Sequence, residues 1–260
     1  MFKMSLVISY CFYILMLIAA QFWIVKTTDL VDCDAIAEES DRCGLKLAFI
    51  GDRDFLIPGN DSQMEVHCRT MYDNYSCLRH YVRNCMKTVS KSLFVSFLYD
   101  VKRDLKQRCS TSGREAFLNH IACLRNASAE NMESIHQCKD NYVIQLEWIM
   151  DNVRSEDQII AGCCAYAQTQ DCLKQKTAKI CAPAEETMDY LNKMVHSTTT
   201  QAINYACTKY RNVSQCRQDL DEVTWRRLYE SGIGNNKPDH HYKSSVMVTM
   251  ALLSSAKQPN

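Results

Sequence analysis

Cys68-Arg69-Thr70-Met71-Tyr72-Asp73-Asn74-Tyr75-Ser76-Cys77-Leu78, running on to Cys85, places three cysteines in one short stretch, separated by eight and then seven residues. The same device returns at Cys164, Cys172-Leu173 and Cys181, separated by seven and then eight. At roughly 100° per residue, a helix would set Cys68 and Cys77 on opposite sides, with Cys77 and Cys85 roughly 80° apart. One such helix can be cross-linked to two or three neighbours. The spacing suits stapling better than metal binding. No C-x2-C occurs, and no cysteine pair is followed by the H-x3-5-H of a zinc site.

The start of the chain accounts for so many cysteines. Lys3 precedes an apolar run from Leu6 to Ala20, and Ala19-Ala20 offer small residues for cleavage before Gln21. Residues 1–25 are expected to be a secretory signal peptide. An uncleaved anchor is the alternative, because apolar character continues through Phe22-Trp23-Ile24-Val25. Of the 15 cysteines, Cys11 goes with this segment. The even set that remains is expected to form disulfides in an oxidising compartment: Cys33, Cys43, Cys68, Cys77, Cys85, Cys109, Cys123, Cys138, Cys163, Cys164, Cys172, Cys181, Cys207 and Cys216. Four Asn-x-Ser sequons, at Asn60, Asn74, Asn126 and Asn212, agree with secretion and N-glycosylation. Lys plus Arg and Asp plus Glu balance at 30 each, so there is no electrostatic footprint for nucleic acid or an anionic membrane.

The periodicity is helical. Phe94, Leu98, Val101, Leu105 and Cys109 recur at three- and four-residue steps, as do Ile135, Cys138, Tyr142, Leu146, Ile149 and Val153. Capping boxes at Ser62–Glu65, Ser112–Glu115 and Ser155–Gln158 punctuate the chain, and Pro183 with Glu185-Glu186 marks another start. No Asn-Gly or Asp-Gly hairpin turn appears. The pattern predicts helices near 34–49, 64–86, 89–107, 114–125, 131–153, 156–181, 184–209 and 215–230. Residues 51–62, with Pro58-Gly59, read as the clearest internal loop.

The cysteines repeat at nearly one offset. Cys43 to Cys138, Cys68 to Cys163 and Cys77 to Cys172 each span 95 positions, Cys85 to Cys181 spans 96, and Cys109 to Cys207 spans 98. Cys123 and Cys216 close the halves less regularly, and Cys33 is a candidate counterpart of Cys123. The expected fold class is therefore all-α: a disulfide-stapled helical bundle made of two related halves. Repeat 1 is placed at 26–112, repeat 2 at 113–231, and a flexible C-terminal tail at 232–260. One of Cys163 and Cys164 is expected to serve the repeat and the other to join the halves. A vicinal disulfide is disfavoured, because adjacent Cα atoms sit closer than relaxed disulfide geometry prefers.

Few features suggest chemistry. There is no G-x-S-x-G, H-E-x-x-H or Gly-rich phosphate loop, the seven histidines are scattered, and no catalytic, cofactor or metal site is expected. His120 and His136 are expected to be packed or surface residues. Phe94, Phe97, Leu98, Tyr142, Trp148 and Ile149 could line a pocket for a small apolar ligand, although the same stripes could simply form the core. Ser231 in Ser231-Gly232-Ile233-Gly234, with acids nearby, is a candidate glycosaminoglycan attachment site; Gly232 as a helix C-cap is the competing reading. The apolar run Val246–Leu253 is too short to span a membrane and reads as a docked terminal helix or a sticky tail.

At the repeated cysteine blocks, and at Phe117-Leu118-Asn119-His120-Ile121-Ala122-Cys123-Leu124, the chain resembles secreted Cys-rich helical domains of nematodes and arthropods. That group includes domains of unknown function and ones similar to the chondroitin proteoglycan four core protein. The resemblance covers about residues 33–216 and implies an extracellular protein, in some relatives associated with matrix or eggshell. It brings no catalytic residues. The expectation is a secreted glycoprotein, not an enzyme, with a binding or structural role. Its partner would be an extracellular protein, the matrix or a small apolar ligand, with no nucleic acid and no membrane span after signal cleavage. The alternative function is a carrier of a small apolar ligand such as a lipid.

Overall fold

Asn60 opens the helix that carries the first cysteine block. Its backbone is extended and its side-chain oxygen accepts from the Gln63 N–H at 2.9 Å, so the helix starts at Asp61. From there Met64, Cys68, Met71, Tyr75, Leu78 and Val82 are buried at three- and four-residue spacing, the stripe of a helix with one face on a core. The computed structural model describes residues 32–48, 50–86, 88–182, 185–198, 203, 207–211, 213–230 and 241–255. The expected signal segment with Cys11, and Asn212 and Ser231, lie outside the described residues.

Among the described residues there are eleven α-helices and no strand. They are α1 (Cys33–Ala48), α2 (Asp61–Asn84), α3 (Thr88–Arg108), α4 (Thr111–His120), α5 (Ala122–Arg125), α6 (Ala129–Asn152), α7 (Gln158–Cys181), α8 (Glu185–Thr198), α9 (Val213–Asp219), α10 (Glu222–Trp225) and α11 (Ser245–Ser255). A 3-10 turn at Thr208–Tyr210 precedes α9, and a π-turn at Arg226–Glu230 continues α10. The all-α expectation holds.

The capping boxes misplace the caps. Asn60 rather than Ser62 caps α2, and Ser110 rather than Ser112 caps α4 by accepting from the Gly113 N–H at 3.1 Å. Ser128 caps α6, accepting from the Asn131 N–H at 3.2 Å. At each of the first two starts a second cap-forming residue lies two positions upstream, and it takes the role. The expected boundary between residues 112 and 113 falls inside the first turn of α4, and Asp34–Asn260 form one compact unit.

The disulfides follow the cysteine offsets. Cys77 on α2 joins Cys43 on α1, and Cys172 on α7 joins Cys138 on α6, each across a separation of 34 residues. Cys68 joins Cys109 across 41 residues, and Cys163 joins Cys207 across 44. Cys123–Cys181 and Cys164–Cys216 complete the described second half, while Cys33 and Cys85 are disulfide-bonded as well. Cys163 and Cys164 thus take separate partners. The expectation that one of them joins the halves is corrected: Cys164 ties α7 to α9, inside its own half, because α9 follows the Cys207 crossover directly.

Noncovalent packing couples the halves instead. Phe117 and Ile121 of the α4 end, wholly buried, share one core with Met64 of α2, Ile135 of α6 and Leu191 of α8. Burying a phenylalanine at this depth is worth about 2–3 kcal/mol. The loop before α2 is tied to α6 as well. Arg53 pairs with Glu133 at 2.7 Å and Asp140 at 2.8 Å, and the Gly51 N–H donates to His136 Nδ1 at 2.8 Å.

The C-terminal tail requires a second correction. Residues 245–255 form α11, with Met247, Val248, Met250 and Leu252 buried. Val248 and Leu252 belong to the core of α6 and α7, and Met247 and Met250 to the core of α2 and α3. The docked-helix reading of Val246–Leu253 is the one that holds, and the flexible-tail assignment fails over these residues; a helix that is apolar all round shows no period, so length and hydropathy were its only sequence signals. Asp41 of α1 accepts from the Lys243 N–H at 2.6 Å and the Ser244 N–H at 2.9 Å, and Ser244 in turn caps α11 through the Met247 N–H at 3.0 Å. Two glycines make room for it. A Cβ on Gly44 would lie 2.6 Å from Ser244 Oγ, and one on Gly162 would lie 2.6 Å from Leu252 Cδ2. Each position gives up about 1 kcal/mol of helix propensity relative to alanine for that approach. Residues 232–240 and 256–260 of the expected tail lie outside the described residues.

Candidate functional site

Three helices wall an apolar cavity of about 250 Å³. α3 contributes Phe94, Phe97, Val101 and Leu105, α7 contributes Ile159, Gly162, Tyr166 and Leu173, and α11 contributes Val246, Thr249, Leu252 and Leu253. Each set keeps helical spacing, so a stripe that would otherwise close on a neighbour faces a shared space. Ile50, Lys139, Tyr142 and Met194 close the walls from other elements. The Tyr142 ring meets Tyr166 edge-on at 6.4 Å, and its hydroxyl pairs with Thr249 Oγ1 at 3.1 Å. Burial pushes the Tyr142 phenol well above its ordinary range.

Of the six aromatic and aliphatic candidates, Phe94, Phe97 and Tyr142 line the cavity. Leu98 and Ile149 are buried in the flanking cores, and Trp148 packs against the core of α6 and α7 with Arg227 over its ring at 6.0 Å. Each stripe is divided: one face is core, and the adjacent positions face the cavity.

Only Arg108 and Lys139 carry a charge among the described lining residues, and both are cations. Lys139 is 6% exposed and donates to the carbonyl oxygen of Lys243. Its pKa is lowered by burial, with Asp140 and Asp41 opposing that shift. Arg108, at the end of α3, is 7% exposed. Its Nη2 donates to Asp104, one turn back, and its guanidinium lies 5.9 Å from the Phe117 ring centre. Among the described residues no group accepts from Arg108 Nε or Nη1, and both atoms are fully enclosed. Sequence reasoning missed this residue. The signal was there: Phe94, Phe97, Val101 and Leu105 lead by helical steps to position 108, where the stripe calls for an apolar side chain and has an arginine.

The other titratable groups nearby serve packing. His67 lies between Phe55 and Phe117, with ring centres at 5.2 and 5.8 Å. Desolvation, then the Arg108 charge, lowers its pKa to about 4. His136, also lowered chiefly by burial, accepts from Gly51, and His120 stacks on Tyr190 at 4.7 Å. Both sit as the sequence reading expected. Among the described residues no group of three His, Cys, Asp or Glu side chains is gathered as metal ligands would be.

The sequons part company. Asn60 and Asn126 are exposed, and the Asn60 cap uses Oδ1, leaving Nδ2 free for a sugar. Asn74 is 8% exposed on the buried side of α2, with Nδ2 enclosed. The folded chain has no room for a glycan there, so the expectation at Asn74 is corrected.

These features define an all-α, disulfide-rich protein with an apolar pocket between its helices. No family model, no curated protein and no solved structure matches the chain. Among the described residues no helix is long and apolar enough to cross a membrane.

Proposed function

We propose that the protein is a secreted, non-catalytic binding protein that carries a small apolar ligand in the cavity between α3, α7 and α11. The observation that carries this reading is the cavity itself. At about 250 Å³ and with predominantly apolar walls, it is well beyond the ~150 Å³ that suffices for a dry cavity to take up benzene. A protein under no demand to bind would gain by filling such a space, since cavity volume costs stability. Seven disulfides support an oxidising compartment, and exposed Asn60 and Asn126 suit an N-glycosylated surface. We also read the two matched disulfide orders as descent from one duplicated unit. A peptide map pairing Cys68 with any cysteine but Cys109 would break that reading.

Native mass spectrometry of the secreted protein tests the carrier function. The expected result is bound mass that organic extraction removes, with the stripped protein then taking up the fluorescent apolar probe 1-N-phenylnaphthylamine. A protein that holds no extractable mass and does not take up the probe would instead be a structural component of its surroundings.

A further inference from the structure

We propose that the cavity takes an uncharged ligand, a short hydrocarbon chain or ring bearing at most a neutral group such as an ester, ketone or hydroxyl, and turns away fatty acids and amines of the same size. This rests on the carrier reading and adds the charge state of the ligand.

Neither cation of the described wall offers its charge to the space between the helices. Arg108 Nη2 donates to Asp104, and its Nε and Nη1 are fully enclosed, so the guanidinium is turned into protein. Lys139 donates to the carbonyl oxygen of Lys243, and Asp140 and Asp41 stand close enough to oppose the effect of burial on its ammonium. A Cβ built on Gly51 would lie 2.8 Å from Lys139 Nζ, which sets the head of that side chain against the loop before α2. A lysine stem can cover apolar surface while its head sits elsewhere.

The hydroxyls are committed in the same way. Thr249 has one hydroxyl proton and gives it to the Ser245 carbonyl oxygen at 2.6 Å, so at 3.1 Å it accepts from Tyr142. Thr169 gives its proton to the Ala165 carbonyl oxygen at 2.9 Å, and the Tyr166 hydroxyl is enclosed. Two polar side chains of the described wall remain, Gln170 of α7 and Ser245 at the start of α11, and both are neutral. An ion entering such a space would give up its hydration and meet no open counter-charge, whereas an ester or ketone has far less hydration to lose.

Size narrows the class. Benzene in a ~150 Å³ cavity occupies ~25 Å³ per heavy atom, and at that ratio a cavity of about 250 Å³ holds about ten. Methyl octanoate, octanoate and octylamine are all of that scale and differ chiefly in charge.

The test ranks these three probes by displacement of 1-N-phenylnaphthylamine from the extracted, disulfide-intact protein at pH 7.5. Methyl octanoate should bind at least about tenfold more tightly than octanoate or octylamine. Gln170→Lys puts an ammonium on the wall in place of a neutral amide. It should tighten octanoate about tenfold and leave methyl octanoate within about threefold. Octanoate or octylamine binding within about threefold of the ester in the wild-type protein would overturn the assignment and leave the carrier reading standing, because a charged head would then lie in water or find a partner on the wall. An unchanged ranking in a folded Gln170→Lys would also overturn it, since wall charge would then not set the preference. Failure of every probe, 1-N-phenylnaphthylamine included, would overturn both readings. Helical circular dichroism and a disulfide map show whether the variant is folded, and the wild-type ranking decides the matter if it is not.

Discussion

His67 precedes Cys68 and Gly162 precedes Cys163, and the two cysteines make matched bonds, to Cys109 and Cys207. The same place in the two disulfide frameworks is thus filled in opposite ways. In the first half an imidazole occupies the space between Phe55 and Phe117. In the second half the side chain is absent, and Leu252 of α11 occupies the space. The disulfide order sets where helices cross, and the residue beside each bond decides what covers the crossing.

The sharpest test of the comparison removes matching bonds. Cys43–Cys77 and Cys138–Cys172 close loops of the same separation, 34 residues, so chain entropy assigns each about 4 kcal/mol. Any difference must come from the folded side. Cys138 is 2% exposed beside the buried face of α6, whereas Cys43 and Cys77 are both half-buried. Replacing Cys138 and Cys172 by serine should therefore lower the midpoint of denaturant unfolding more than replacing Cys43 and Cys77. An equal or reversed order would mean that the first-half bond carries packing that its exposure does not suggest.

The next effect belongs to one half only. His67 has its pKa lowered from 6.5 to about 4, by desolvation and then by Arg108. The unfolded chain then binds the proton more readily than the folded one between those values, so stability is complete above about pH 6.5 and is lost as pH falls toward 4. The loss approaches about 3 kcal/mol. His136, also lowered by burial, adds to the same slope. His67→Phe, which keeps a ring between Phe55 and Phe117, should reduce the slope without abolishing it. An unchanged slope in that variant would show that His67 is already charged in the folded chain or reaches solvent. Gly162 offers the other half nothing to titrate.

Gly162→Val probes the reverse substitution. The new side chain would meet Leu252 within van der Waals distance, and overpacking of this kind costs about 1–3 kcal/mol. Because Gly162 and Leu252 both line the cavity, uptake of the apolar probe should fall as well. Unchanged stability with unchanged uptake would mean that Leu252 turns aside freely and that the close approach is incidental.

How much of this was legible in the sequence varies with the kind of signal. Helices α2, α3, α6 and α7 announce themselves because their buried residues keep one face. The cysteine offsets reappear in the bonds, whose separations are 34 and 34, then 41 and 44, but the pairing itself was not legible, because spacing along a helix does not say which neighbour packs on each face. α11 was legible only as a short apolar run, a docked helix or a sticky tail, because a helix apolar all round has no period; the role of Cys164 was not, because its partner lies 52 residues on, on a short helix without a clear pattern. The site was half legible. Phe94, Phe97 and Tyr142 could be named from periodicity, but whether a stripe closes on a neighbour or leaves a gap depends on three helices whose meeting no local pattern records. Arg108, which breaks the stripe of α3, was a further local trace that went unread.

The glycans test the comparison at its smallest energy. Asn60 and Asn74 lie on the same helix, one at its cap and one inside its buried face. Sugar on Asn60 Nδ2 leaves the Oδ1 cap intact, so its presence should change stability little. Sugar on Asn74 would have to displace the packing around a nitrogen that is fully enclosed. Glycopeptide mapping of the secreted protein should find Asn60 and Asn126 occupied and Asn74 bare. Full occupancy at Asn74 would place that face of α2 in solvent, and the core that Met71, Tyr75 and Leu78 form with α3 would then have to be drawn differently.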